Sequence, residues 1–279
     1  MKVFWLRIGR IVVVALAALM LYYGLETSLG YGWVLVPVAL LFGAVWGGEH
    51  VFRIWKRKKD DDTFDRWEAA VRDPEARPQA IADVRERLST ARRLGKRMRL
   101  EVAHLSVVLA ELLDAAGKPG EAADVLGKVQ LDELEPAQAA LVRYSKAVAQ
   151  ISAGRVDDAD VTLRVRSESC GDAELDARLD LMDAMVCIER GDPESALEDA
   201  ADVAKREGLD ESVATEVQVV RAAALEAKGD HVGALEALAK VDVETLQGLA
   251  TLGLPKVRPV AKAALEAREP KSASSEASA

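Results

Sequence analysis

Cysteine, histidine and clustered carboxylates are the side chains that make nucleophiles, metal centres and acid–base pairs, and here they are sparse and poorly spaced. Cys170 and Cys187 stand 17 residues apart with no CxxC, which reads as two free thiols in a reducing compartment. His50, His104 and His231 are scattered and match no metal-ligand spacing. The stretch GKPGEAADVLGK holds two Lys and three Gly, yet it lacks the GK[ST] of a phosphate loop and follows no strand. The adjacent acids Asp157 and Asp158 fall where a helix starts, and the helix dipole accounts for them without catalysis. No base is placed by spacing beside a Ser or Cys. The expectation is a protein with no catalytic residue, no metal site, no cofactor and no small-molecule substrate.

What these positions leave is architecture. Of 279 residues, 50% are hydrophobic but only 5% aromatic, and Ala, Leu and Val dominate. Few Gly or Pro interrupt the long apolar-periodic segments, so the composition favours helix over sheet. Charge divides the chain. Residues 1–59 hold eight Lys/Arg and two Asp/Glu, a net of +6, whereas the remainder holds 29 and 44, a net of −15. The acidic body argues against a nucleic-acid partner.

The basic head reads as a transmembrane helical hairpin, about 4–25 and 29–48. IVVVALAALMLYYGL separates Arg10 from Glu26, and TSLGYGWVLVPVALLFGAVWGG separates Glu26 from Glu49. The second run would span roughly 33 Å as a helix, enough for a bilayer core. The first reaches that length if VFWLRI joins it, with Arg7 and Arg10 snorkelling. A cleaved signal peptide is the rival reading, but no convincing A-x-A site precedes Glu26. Gly43 and Gly47 form a GxxxG for helix packing. The loop around Glu26 has no cation. Lys2, Arg7 and Arg10 flank one end of the hairpin, and Arg53, Lys56, Arg57, Lys58 and Lys59 form the basic junction at the other. The positive-inside rule places both ends, and the body, in the cytoplasm, with the hairpin in the inner membrane of a bacterium.

The body repeats. Gly117, Gly154, Gly191 and Gly229 are spaced by 37, 37 and 38 residues. Ala122, Ala159, Ala196 and Ala234 follow them by five positions, and Ala110, Ala147, Ala184 and Ala222 precede them by seven. Three columns in step at this period mean a solenoid of helix pairs. Each Gly ends one helix in the left-handed conformation, and Pro119 or Pro193 suits the first turn of the next. The small Ala columns let the paired helices cross closely. Leu126, Leu163 and Leu238, and Val107, Tyr144, Leu181 and Val219, fill around them. Ala137 is placed before the core of its helix.

A small residue, a Gly seven positions later and an Ala five beyond it resemble the tetratricopeptide repeat, over residues 100–245. The family's period is 34, so these units are longer, and charge stands where family helices carry large apolar residues, at Arg143, Lys146, Asp180, Asp183 and Arg221. The first helix of each pair is therefore expected to be rotated. The resemblance implies a protein-binding scaffold, without naming the partner-binding residues. A membrane hairpin, a basic junction and cytoplasmic repeats also resemble, in layout alone, HemY-type haem-biogenesis proteins and the membrane-tethered repeat protein that regulates lipopolysaccharide assembly. The full expectation is all-α: a hairpin over 1–59, linker helices over 60–99, about four repeats over 100–245, capping helices over 246–269 and a disordered tail over 270–279. A structural subunit of a larger membrane complex, or a regulator of a membrane-associated biosynthetic enzyme, is the alternative to a scaffold. The stretch from Arg85 to Arg99 reads first as a solvated helix face and next as a contact for anionic headgroups.

Overall fold

The computed structural model describes residues 62–165 and 169–268. The chain divides into two units, Met1–Asp65 and Arg66–Ala279, and the description below concerns the second together with residues 62–65, the described part of the first. The expected hairpin, its junction Arg53, Lys56, Arg57, Lys58 and Lys59, and the tail after residue 269 lie outside the described residues. Among those residues no helix is long and apolar enough to cross a membrane.

The described residues are helices and turns, with no strand among them. Helix α1 covers residues 62–72 and α2 Arg77–Arg93. A 3-10 turn at Gly95–Met98 leads into the array. The array comprises four helix pairs: α3 Arg99–Ala115 with α4 Pro119–Leu126; α5 Pro136–Ser152 with α6 Val156–Arg164; α7 Ala173–Glu189 with α8 Pro193–Ala204; α9 Glu211–Ala227 with α10 His231–Leu238. Helices α11 Val243–Leu252 and α12 Val257–Arg268 follow. Each first helix has 17 residues, while the second helices have between 8 and 12.

The turns explain that regularity. Gly117, Gly154, Gly191 and Gly229 have φ of 74°, 72°, 83° and 83°. The next residue's N–H reaches back to the carbonyl five positions earlier: Lys118 to Leu113, Arg155 to Gln150, Asp192 to Cys187 and Asp230 to Leu225, at 2.8–2.9 Å. This is a Schellman closure, which occupies orphan carbonyls at the helix end and turns the chain at once. Aspartates then start helices. Asp192 and Asp230 accept from the N–H groups of Ser195 and Gly233, and Asp210 and Asp242 from those of Val213 and Thr245.

The small columns sit in the core. Ala122, Ala159, Ala196 and Ala234 are each 0% exposed, and Ala110, Ala147, Ala184 and Ala222 no more than 3%. Leu126, Leu163 and Leu238 are buried around them, with Ala200 in the corresponding place of the third pair. Arg143, Lys146, Asp180 and Asp183 are half-buried at helix edges, and Arg221 is exposed. Asp180 pairs with Arg206. Ala137 departs from expectation: Pro136 opens α5, so Ala137 belongs to its first turn and is half-buried.

Candidate interaction face

Successive first helices pack on one another, α3 on α5, α5 on α7 and α7 on α9, whereas the second helices pack on first helices and not on one another, α10 packing also on α12. The first helices are thus the layer whose members touch one another, and we call the face that α3, α5, α7 and α9 supply the inner face. Outside it, each turn is tied to the preceding second helix by an ion pair: Arg155 to Asp124 at 3.0 Å, Arg190 to Asp157 at 2.9 Å and Lys228 to Glu194 at 3.1 Å. These pairs are largely exposed and screened, so they set register more than stability.

The inner face is partly occupied by the chain itself. Helix α12 packs on α9, α10 and α11. Its last residue, Arg268, donates to the carbonyls of Leu238, Ala239 and Val241 and closes the end of α10. Helix α11 and the turn after it lie over the first helices. Leu249, Leu252 and Leu254 share a cavity of about 210 Å³ with Tyr144 and Val148 of α5, Met182 and Met185 of α7, and Glu216 and Val219 of α9. The segment 243–258 therefore stands where an external segment would otherwise lie against these helices.

The polar groups here are shaped by burial. Burial raises the Tyr144 phenol above its usual range. Glu216 accepts from Arg178 Nε at 3.0 Å, while its Oε2 is buried without a hydrogen-bond partner. Burial raises its pKa and Arg178 opposes the rise. Burial also raises Glu111, Asp114 and Glu189; Arg258 pulls Asp114 back down and Lys256 does the same for Glu189. Both cations come from the stretch LGLPKVRP. A basic, leucine-containing turn thus lies near acids at the ends of α3 and α7.

Glu216 gives a pH prediction. A carboxyl whose folded pKa is raised contributes its stability below the unfolded value, near 4.5, and loses it as pH rises through the folded value. Glu216→Gln keeps an oxygen for Arg178 and removes the titration. Wild-type stability relative to that variant should fall from pH 4.5 to 7.5 in thermal melts; a difference that is flat or rises across the range would refute the raised pKa.

The twelve repeat-defining residues sit in four similar settings at the pair junctions, and none of them lines the cavity beside Tyr144 or the cleft beside Arg92. Among the described residues no three His, Cys, Asp or Glu side chains converge as a metal-binding group, and Cys170 and Cys187 are free. Sequence reasoning did not identify Glu216, Lys256 and Arg258. The signal available was LGLPKVRP itself, a cationic, Pro-broken stretch late in an acidic body.

A family model of the tetratricopeptide repeat matches residues 103–128. The match takes in most of α3, the Gly117 turn and α4, with Ala110 and Ala122 on either side. No curated protein and no solved structure matches the chain. The chain carries a tetratricopeptide-like helical repeat in an all-α body.

Proposed function

We propose that this protein is a membrane-anchored helical-repeat scaffold that holds a protein partner at the cytoplasmic face of a bacterial inner membrane. Repeats of this kind present extended surfaces to other proteins, and the observation that carries the reading is the stack of four equal 17-residue first helices. The anchor rests on the two uncharged runs, and the orientation on the eight cations that flank them against a cation-free loop at Glu26. Residues Arg53, Lys56, Arg57, Lys58 and Lys59 would then lie at the headgroups.

One observation favours the alternative, a structural subunit of a membrane complex. The inner face is partly filled by residues 243–258, so the array can brace a neighbour without an open groove. Affinity purification of the full chain in mild detergent separates the two. A soluble client recovered in stoichiometric amount, and retained when residues 1–59 are exchanged for an unrelated hairpin, supports the scaffold. Recovery only of membrane subunits, all lost on exchange, overturns it.

A further inference from the structure

We propose that the corner between α2 and α3, residues Arg92–Leu100, docks on the anionic phospholipid headgroups of a bilayer surface. The corner reads RRLGKRMRL, and every residue in it except Met98 is exposed. It presents Arg92, Arg93, Lys96, Arg97 and Arg99, and Lys128 joins Arg92, Lys96 and Arg99 around an open cleft of about 290 Å³.

Several arginines elsewhere in the body have carboxylate partners that most of these cations lack. Arg85, Arg155, Arg178, Arg190 and Arg206 each reach a carboxylate. In the corner Lys96 alone does so, at 3.4 Å from Glu133, while Arg92, Arg93, Arg97 and Arg99 have no ion-pair partner among the described residues. Like charges gathered without counter-ions repel, and an anionic surface relieves that repulsion. Two of the body's exposed large apolar side chains lie in the same nine residues, Leu94 at 60% and Leu100 at 54%. Leucines beside unpaired cations suit the boundary of headgroups and acyl chains. A nucleic-acid site would call for exposed rings on which bases stack, and the corner has none. The site is separate from the inner face, and its recognition of phosphate-bearing headgroups does not require residues 1–59 to span a bilayer.

The test uses the full chain with vesicles of phosphatidylcholine alone or mixed with phosphatidylglycerol. Flotation and amide hydrogen exchange at residues 92–100 are measured on each. With phosphatidylglycerol, exchange in the corner should slow about tenfold or more relative to phosphatidylcholine alone, and high salt should reverse it. Arg92→Gln, Lys96→Gln and Arg99→Gln combined should abolish the slowing while leaving helix content by circular dichroism unchanged. Leu94→Ser with Leu100→Ser should weaken it. Equal exchange on the two vesicle types overturns the proposal. So does equal protection by inorganic phosphate, which would mean a simple anion site, or by single-stranded RNA. Failure to float on phosphatidylcholine would count against the anchor at residues 1–59, whereas flotation that requires phosphatidylglycerol and the corner cations would still support this site.

Discussion

Ala147→Leu should destabilise the array by about 2–3 kcal/mol, and Ala159→Leu by a similar amount. Both positions are 0% exposed. Ala147 lies on α5 and Ala159 on α6, and α5 also packs on α3 and α7, so it cannot back away from its partner without disturbing two further helices. The three added carbons must push into a filled interior, where packing already resembles a molecular crystal. Ala201→Leu is the control, because Ala201 is an exposed position of α8. Gly154→Val tests the same junction by a different route. Its φ of 72° is the cause, since a Cβ at this position would meet nothing within 4 Å. The penalty is then conformational alone, about 1–2 kcal/mol for a left-handed residue and more for a β-branched one. Because each pair touches only its neighbours, damage at the second pair should also broaden the urea unfolding transition by uncoupling the two sides. Central variants that melt with Ala201→Leu would mean that the small columns carry no packing constraint.

The repeat was legible from sequence because its determinants are local. A Gly at positive φ with a small residue seven positions before it and five after it leaves a fixed spacing in the chain, and Gly117, Gly154, Gly191 and Gly229 show it directly. The charged positions were harder. Arg143, Lys146, Asp180 and Asp183 are half-buried, and the period alone does not say which part of each is covered. The ion pairs from Arg155, Arg190 and Lys228 to the preceding helix join residues 31–34 apart, and no short motif encodes them. The placement of α11 was the least legible. A Pro-interrupted helical pair after the last repeat reads as a cap, and whether it also reaches back over α7 and α5 depends on contacts 60–110 positions distant in sequence. The basic corner was visible as a charge run, but its exposed leucines and the lack, among the described residues, of ion-pair partners for its arginines only emerge once the helices are placed.

Leu246→Ala should cost about 3–4 kcal/mol, the middle of the range of about 2–5 kcal/mol for deleting a buried aliphatic side chain. Leu246 is 0% exposed and belongs to the core that includes Met185, Val220 and Val260. Helix α11 has ten residues, too few to be stable without a surface to pack on. Loss of its principal buried side chain should therefore loosen the whole segment from Val243 to Arg258. That would withdraw Lys256 from Glu189 and Arg258 from Asp114, leaving two half-buried acids without the cations that oppose their raised pKa. Hydrogen exchange should accelerate first at residues 243–258 and at the inner side of α7 and α9, while α3 and α4 stay protected. A partner that binds the inner face competes with this segment, so its affinity should rise in the variant by the fraction of the face that is freed. A partner that binds elsewhere should show no such gain. An unchanged denaturation midpoint, with exchange at residues 243–258 as slow as in the wild type, would show that α11 is held by something other than its buried leucine, and the self-occupied inner face would have to be abandoned.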